Sequence, residues 1–176
     1  MEAPDEQLML AYRDGDAGAF AQLYARHRAT LFRFVVRAVR ERPVAEELYQ
    51  DIWMRVIEAR ARYEARAKFT TWLYAIAHNR VTDHWRRRGL DAVALDADPP
   101  GGIPGPERQA QARESLARFA AALESLPPAQ REAFLMREEA GMSVAEIARA
   151  TGADPEATKS RLRYAVARLK AAVDDE

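Results

Sequence analysis

Apolar side chains recur along the first half of the chain with a helical rhythm. Phe20, Leu23, Tyr24, His27, Leu31, Phe34, Val35 and Ala38 follow the i, i+3, i+4, i+7 spacing, and Asp16 stands where an N-cap belongs. A turn is expected at Pro43. Leu48, Ile52, Val56 and Ala59 then form a second apolar stripe, with Glu46, Glu47, Gln50, Asp51 and Arg55 on the opposite face. A third helix is expected from near Thr70, with Phe69, Leu73, Ile76, Ala77 and Val81 as its buried stripe. A short amphipathic helix near residues 5–13 should pack on the outside. The period-two alternation of strands is missing from both halves of the sequence.

The rhythm stops at residues 89–107, "GLDAVALDADPPGGIPGPE", which hold four prolines and four glycines. Pro99-Pro100-Gly101-Gly102 cannot continue a helix or a central strand, so this segment reads as a flexible linker. Beyond it, residues 108–125 and 128–139 read as helices parted by Pro127-Pro128. Ser143 and Glu146 have the spacing of a capping box. Gly141 and Gly152 stand where helices end in a left-handed residue, and Asp154-Pro155 supplies an N-cap and a proline for the first turn. The order is helix, short turn, long basic helix, which is a helix-turn-helix. The expected fold is all-α. It has an N-terminal helical bundle (1–88) and a C-terminal helix-turn-helix domain (108–176), joined by the linker 89–107.

Composition narrows the class. The 176 residues include no cysteine, which removes disulfides and thiolate metal sites and fits a reducing compartment. No apolar run approaches the ~20 residues that cross a bilayer, and "MEAPDEQLML" is acidic where a secretion signal is basic. A cytoplasmic location is expected. Net charge is zero, but it is sorted along the chain. Residues 1–16 carry five acids and one base, residues 60–88 eight bases and two acids, and residues 155–170 five bases and one acid. A chain sorted in this way can present separate basic faces.

Those faces suggest nucleic acid. In "FTTWLYAIAHNRVTDHWRRR", residues 69–88, Trp72, Tyr74, His78, Asn79 and His84 fall off the apolar stripe. Off-stripe aromatics next to Arg80, Arg86, Arg87 and Arg88 are what single strands need, since a stacked base gains ~1–3 kcal/mol whatever its identity. Trp72 packed on a neighbouring helix is an equally good reading. Thr158, Lys159, Ser160, Arg161 and Arg163 lie in the N-terminal half of the last helix, the end that enters the major groove in helix-turn-helix proteins. An ordinary helical hairpin with solvated bases is the alternative. Catalysis finds little support. His27 lies on an apolar stripe and reads as a satisfied core residue. His78 and His84 lack the i, i+4 spacing of a zinc pair, and there is no GxSxG elbow. A nuclease would need Glu46, Glu47 and Asp51 as metal ligands, and a stand-alone regulator would use the helix-turn-helix without a polymerase.

"AEELYQDIWMRVIE", "FTTWLYAIAHNRVTDHWRRR", "LPPAQREAFLMREEAGMSVAEIARATG" and "TKSRLRYAVARLK", in that order, resemble the extracytoplasmic-function (ECF) group of the sigma-70 family. The resemblance implies two helical domains bound to RNA polymerase core. The first recognises and melts the −10 promoter element and the second reads the −35 element. It implies a non-enzymatic initiation factor whose partners are core polymerase, promoter DNA and an anti-sigma factor. No cofactor, metal or small-molecule substrate is expected. By position, Glu47, Gln50 and Asp51 match the polymerase-contact helix, and Asn79 matches the residue lining the pocket for a flipped base. Lys159, Ser160, Arg161 and Arg163 match the −35 recognition helix. Pro155-Glu156-Ala157 departs from the family's usual turn, and that bears on −35 preference.

Overall fold

The computed structural model describes residues 2–89 and 108–174, the latter with side chains from residue 114 onward. All regular structure among the described residues is helical: α1 (Asp5–Arg13), α2 (Ala17–Val39), α3 (Arg42–Ala59), a 3-10 turn (Arg60–Arg62), α4 (Phe69–Arg87), α5 (Arg108–Ser125), α6 (Pro128–Ala140), α7 (Val144–Thr151) and α8 (Pro155–Asp174). Apart from Gly89, the expected linker lies outside the described residues.

The caps explain where the helices begin and end. Asp16 Oδ1 accepts hydrogen bonds from the Gly18 and Ala19 amides at 2.8 and 3.2 Å and so opens α2. Pro43 sits in the first turn of α3, where a missing N–H leaves no bond unmade. Helix α4 has no cap of its own at Lys68. Glu6 of α1 supplies one from 63 residues away, its Oε1 accepting from the Phe69 amide at 2.6 Å. Ser143 and Glu146 form the reciprocal capping box of α7, Gly141 and Gly152 are left-handed, and Asp154 Oδ1 accepts from the Glu156 amide at 2.7 Å.

In the N-terminal half, Leu23, Leu31, Phe34 and Val35 of α2 meet Ile52 and Val56 of α3 and Phe69, Leu73, Ala77 and Val81 of α4, all buried. Helix α1 lies on α2 and the start of α4, burying Leu8, Met9 and Tyr12. The buried set of α4 differs from the expected stripe. Ile76 is only half-buried, while Tyr74 and Trp85 are buried.

The halves do not stand apart. Helix α6 packs on α2, α7 packs on α4, and the apolar core is continuous between them. Arg131 is central to this seam. Its guanidinium is buried and donates to the carbonyls of Ala38, Glu124 and Leu126 at 3.0, 2.9 and 2.9 Å. These carbonyls belong to the ends of α2 and α5, where helices leave acceptors unpaired and the dipole favours a cation. Burial lowers the Arg131 pKa to about 10, so it stays charged at neutral pH. Nearby, Arg40 ends α2 in the left-handed region (φ 65°) and donates to the Glu124 carbonyl at 2.6 Å. Glu139 of α6 accepts from Arg33 at 2.9 Å and pairs with Arg37 as well.

Candidate nucleic-acid and polymerase interfaces

Glu47 and Gln50 are exposed on α3, beside the exposed Met54. Asp51, expected to be solvated with them, is half-buried instead and faces α4. Its Oδ2 lies 2.5 Å from Arg80 Nε and 3.6 Å from Arg55 Nε. The Arg80 contact is a close charge pair without the alignment of a hydrogen bond. Arg80 also donates to Asp83 at 3.0 Å. Asp51 and Arg80 were expected at two different interfaces; here they tie α3 to α4.

On α4, Asn79 is exposed, as are Arg86, Arg87 and Arg88 near its C-terminus. Arg88 pairs with Glu41 at the start of α3. Trp72 is half-buried, with Tyr63 and Phe69 at ring distances of 5.0 and 5.9 Å. Part of its surface remains open to solvent. Tyr74 corrects the sequence reading. It is 1% exposed, edge-on to Phe34 at 5.1 Å, and burial pushes its phenol pKa well up. A side chain so enclosed offers no face for stacking. The reason is that the buried stripe of α4 is wider than expected, with Tyr74 three residues before Ala77 and seven before Val81, and α2 packs over it. His84 is half-buried against Trp85, and burial with nearby Arg88 lowers its pKa.

On α8, Lys159 and Arg163 are exposed, while Ser160 and Arg161 are half-buried. Thr158 is the second correction: it is 1% exposed and its Oγ1 donates back to the Asp154 carbonyl at 3.0 Å. It closes the helix-turn-helix from within and cannot reach a base. Glu156 holds Lys159 at 2.7 Å, and the Arg163 guanidinium lies over the Tyr164 ring at 5.3 Å. His27, read as a satisfied core residue, is half-buried with Nε2 2.6 Å from Asp5. No cluster of three or more histidine and carboxylate side chains that could hold a metal occurs among the described residues.

Two contacts escaped the sequence reading. His78 meets Glu132 across the seam, and Lys68 meets Glu146. Glu132 is a charged residue flanked by buried Arg131 and Ala133, which is a visible oddity. Its partner, 54 residues distant, is not readable from any local pattern.

An all-α chain with a capped helix-turn-helix and a second basic helix over an aromatic core defines a class of DNA-binding protein. Comparison places it more narrowly. The Sigma-70 region 2 family matches residues 23–90, and the Sigma-70, region 4 family matches residues 116–169. RNA polymerase sigma factor CarQ of Myxococcus xanthus is 34% identical over 166 residues, covering 92% of this chain and 93% of CarQ. ECF RNA polymerase sigma factor SigM of Mycobacterium tuberculosis is 32% identical over 168 residues, covering 96% and 84%. Among solved structures, CnrH in complex with the cytosolic domain of CnrY superposes with a TM-score of 0.71 at 25% identity, over 98% of this chain and 99% of that one. The chain belongs to the sigma-70 family of RNA polymerase sigma factors, in the ECF group.

Proposed function

We propose that this sigma factor brings RNA polymerase core to promoters through three surfaces. The 1–88 half binds core through Glu47 and Gln50 of α3, with Asp51 holding that face against α4. The same half opens the −10 element on α4, where the half-buried Trp72 offers its exposed part for stacking, Asn79 meets an unpaired base, and Arg86, Arg87 and Arg88 neutralise the strand. The 108–176 half reads the −35 element with Lys159, Ser160, Arg161 and Arg163. Residues 89–107 set the reach between the two. An anti-sigma factor controls the chain, a reading supported by the likeness to CnrH, solved with the cytosolic domain of CnrY.

The observation that carries this reading is Asn79. It is exposed in the middle of a helix whose other face is core, where a residue of poor helix propensity has no structural reason to be. Its amide can donate and accept at one base edge. Run-off transcription with purified core tests the proposal. Asn79→Ala should lose output from duplex promoters, retain it from templates opened in advance, and keep the wild-type melting temperature. Glu47→Arg should fold normally and fail to co-purify with core. Asp51→Arg is a poorer probe, because it would set a second cation against Arg80. Equal output from Asn79→Ala and wild type on duplex promoters would overturn the −10 assignment.

A further inference from the structure

The two surfaces assigned to DNA lie on opposite sides of one seam. Helix α7 packs on α4, and Lys68, just before α4, reaches Glu146 of α7 at 2.7 Å. The charge of Arg161, on the recognition helix, is felt at His78 on α4. A −10 and a −35 element lie about 25 base pairs apart, or ~85 Å at ~3.4 Å per pair. Helices joined by direct side-chain contact cannot serve both elements at once. The arrangement described here is a closed one.

At the seam sits an ion pair unlike the solvated ones around it. His78 Nδ1 lies 3.2 and 3.1 Å from the two carboxylate oxygens of Glu132, and Thr82 Oγ1 lies 3.4 Å from its Nε2. The side chains are 18% and 5% exposed. A carboxylate this enclosed is stable only with its partner present. We infer that the free chain latches itself shut, with His78 and Glu132 as the catch between α4 and α6, and that the −10 and −35 surfaces become usable together only when this pair parts. The inference rests on the assignment of α4 and α8 to two promoter elements.

Such a latch responds to pH, and its direction follows from the groups around His78. Burial disfavours the imidazolium, but the charge and hydrogen bond of Glu132 outweigh it, against opposition from Arg161 of α8 and Arg86 of α4. The net effect raises the closed-state pKa above the ordinary value. Opening returns His78 to about 6.5. Its contribution to closure is therefore complete below about pH 6.5 and fades as pH rises through the closed-state pKa. Lys68 is shifted up and Glu146 down, so both stay charged throughout.

The full chain contains a convenient reporter. It has three lysines, Lys68, Lys159 and Lys170. Lys68 touches Glu146 across the seam, while Lys159 touches Glu156 within α8 at the same 2.7 Å. A carbodiimide joins an amine to a carboxylate in contact, so the ratio of the two cross-links reports closure and cancels the reagent's own pH dependence. The ratio should fall as pH rises above about 6.5. E132Q and H78Q should each lower it at pH 6 by about tenfold, the order expected for one charge-assisted hydrogen bond, and should flatten its pH dependence. Arg33→Glu combined with Arg37→Glu should lower the ratio but keep the pH dependence, because those residues are exposed and act through Glu139. A ratio that ignores E132Q and H78Q overturns the latch, whatever the chain does in transcription. A ratio that behaves as described in a chain that cannot direct core to a promoter supports the latch and sinks the functional reading alone.

Discussion

Helices α4 and α8 each join an apolar stripe to a cluster of basic side chains, yet their basic residues find different partners. On α4, Arg80 is engaged by Asp51 and Asp83, Arg88 by Glu41, and His78 by Glu132. Asp51 and Glu132 belong to other helices, and Glu41 is the residue that opens α3. On α8, Lys159 meets Glu156 one turn away and Arg163 lies over its neighbour Tyr164. The α4 side chains serve the fold as well as the surface. Lys159 and Arg163 of α8 meet residues of their own helix. Stability and DNA affinity should therefore respond together to changes on α4 and separately to changes on α8.

The pair of tyrosines tests this contrast with the largest expected effect. Tyr74 of α4 is enclosed, and Tyr164 of α8 is 53% exposed. Tyr74→Ala should cost about 3–5 kcal/mol, the range for removing a buried aromatic, whereas Tyr164→Ala should stay within about 0.5 kcal/mol. Urea unfolding of both variants measures the difference. Tyr74→Phe sharpens the point. The Tyr74 hydroxyl is buried with no partner among the described residues, so its removal should be neutral or slightly stabilising. A clear loss on Tyr74→Phe would mean that the hydroxyl has a partner after all.

The arginines come next. Arg80→Met should lower stability by about 1–2 kcal/mol, because Asp51 and Asp83 lose a cation in a half-buried setting. Arg163→Met should leave the melting temperature unchanged and weaken binding to −35 duplex, with a salt slope shallower by about one. Thermal melts and anisotropy titrations on the same two variants are sufficient. If Arg163→Met destabilises as much as Arg80→Met, the contrast between the helices fails.

These cases show what can be read from a linear chain. The helix positions, the capping box, the left-handed glycines and the Asp154 cap depend on neighbours within about four residues, and periodicity carries them. So did the exposed positions of Asn79 and Lys159. What escaped depends on distant partners. Tyr74 stands at the margin of the α4 stripe, three residues before Ala77 and seven before Val81, and the packing of Phe34 from α2 against it decides that it is buried. Thr158 looked available because it neighbours Lys159, yet its hydroxyl is spent on the Asp154 carbonyl. Asp51 looked solvated until α4 brought Arg80 to it. The joining of the halves through Arg131 left only a faint sign, a charged pair set among residues that should be apolar.

The smallest effect concerns Glu156, the residue that departs from the family's usual turn. It stands in the first turn of α8, where a carboxylate suits the helix dipole, and it holds Lys159. Near DNA the same carboxylate would face phosphates, and Lys159 must leave it to reach one. Glu156→Gln keeps the shape, removes the charge and frees the lysine. The melting temperature should stay within about 2 °C, since only a first-turn charge is lost. Affinity for −35 duplex should rise, and its dependence on log salt should steepen by roughly 0.9 for the one further phosphate engaged. Anisotropy titrations at several salt concentrations measure that slope. The change should be uniform across sequences, because phosphate contacts carry no base information. Relaxed discrimination at a single base pair with an unchanged slope would assign Glu156 another role, accepting a hydrogen bond from a cytosine amino group. The charge account of this turn would then be wrong.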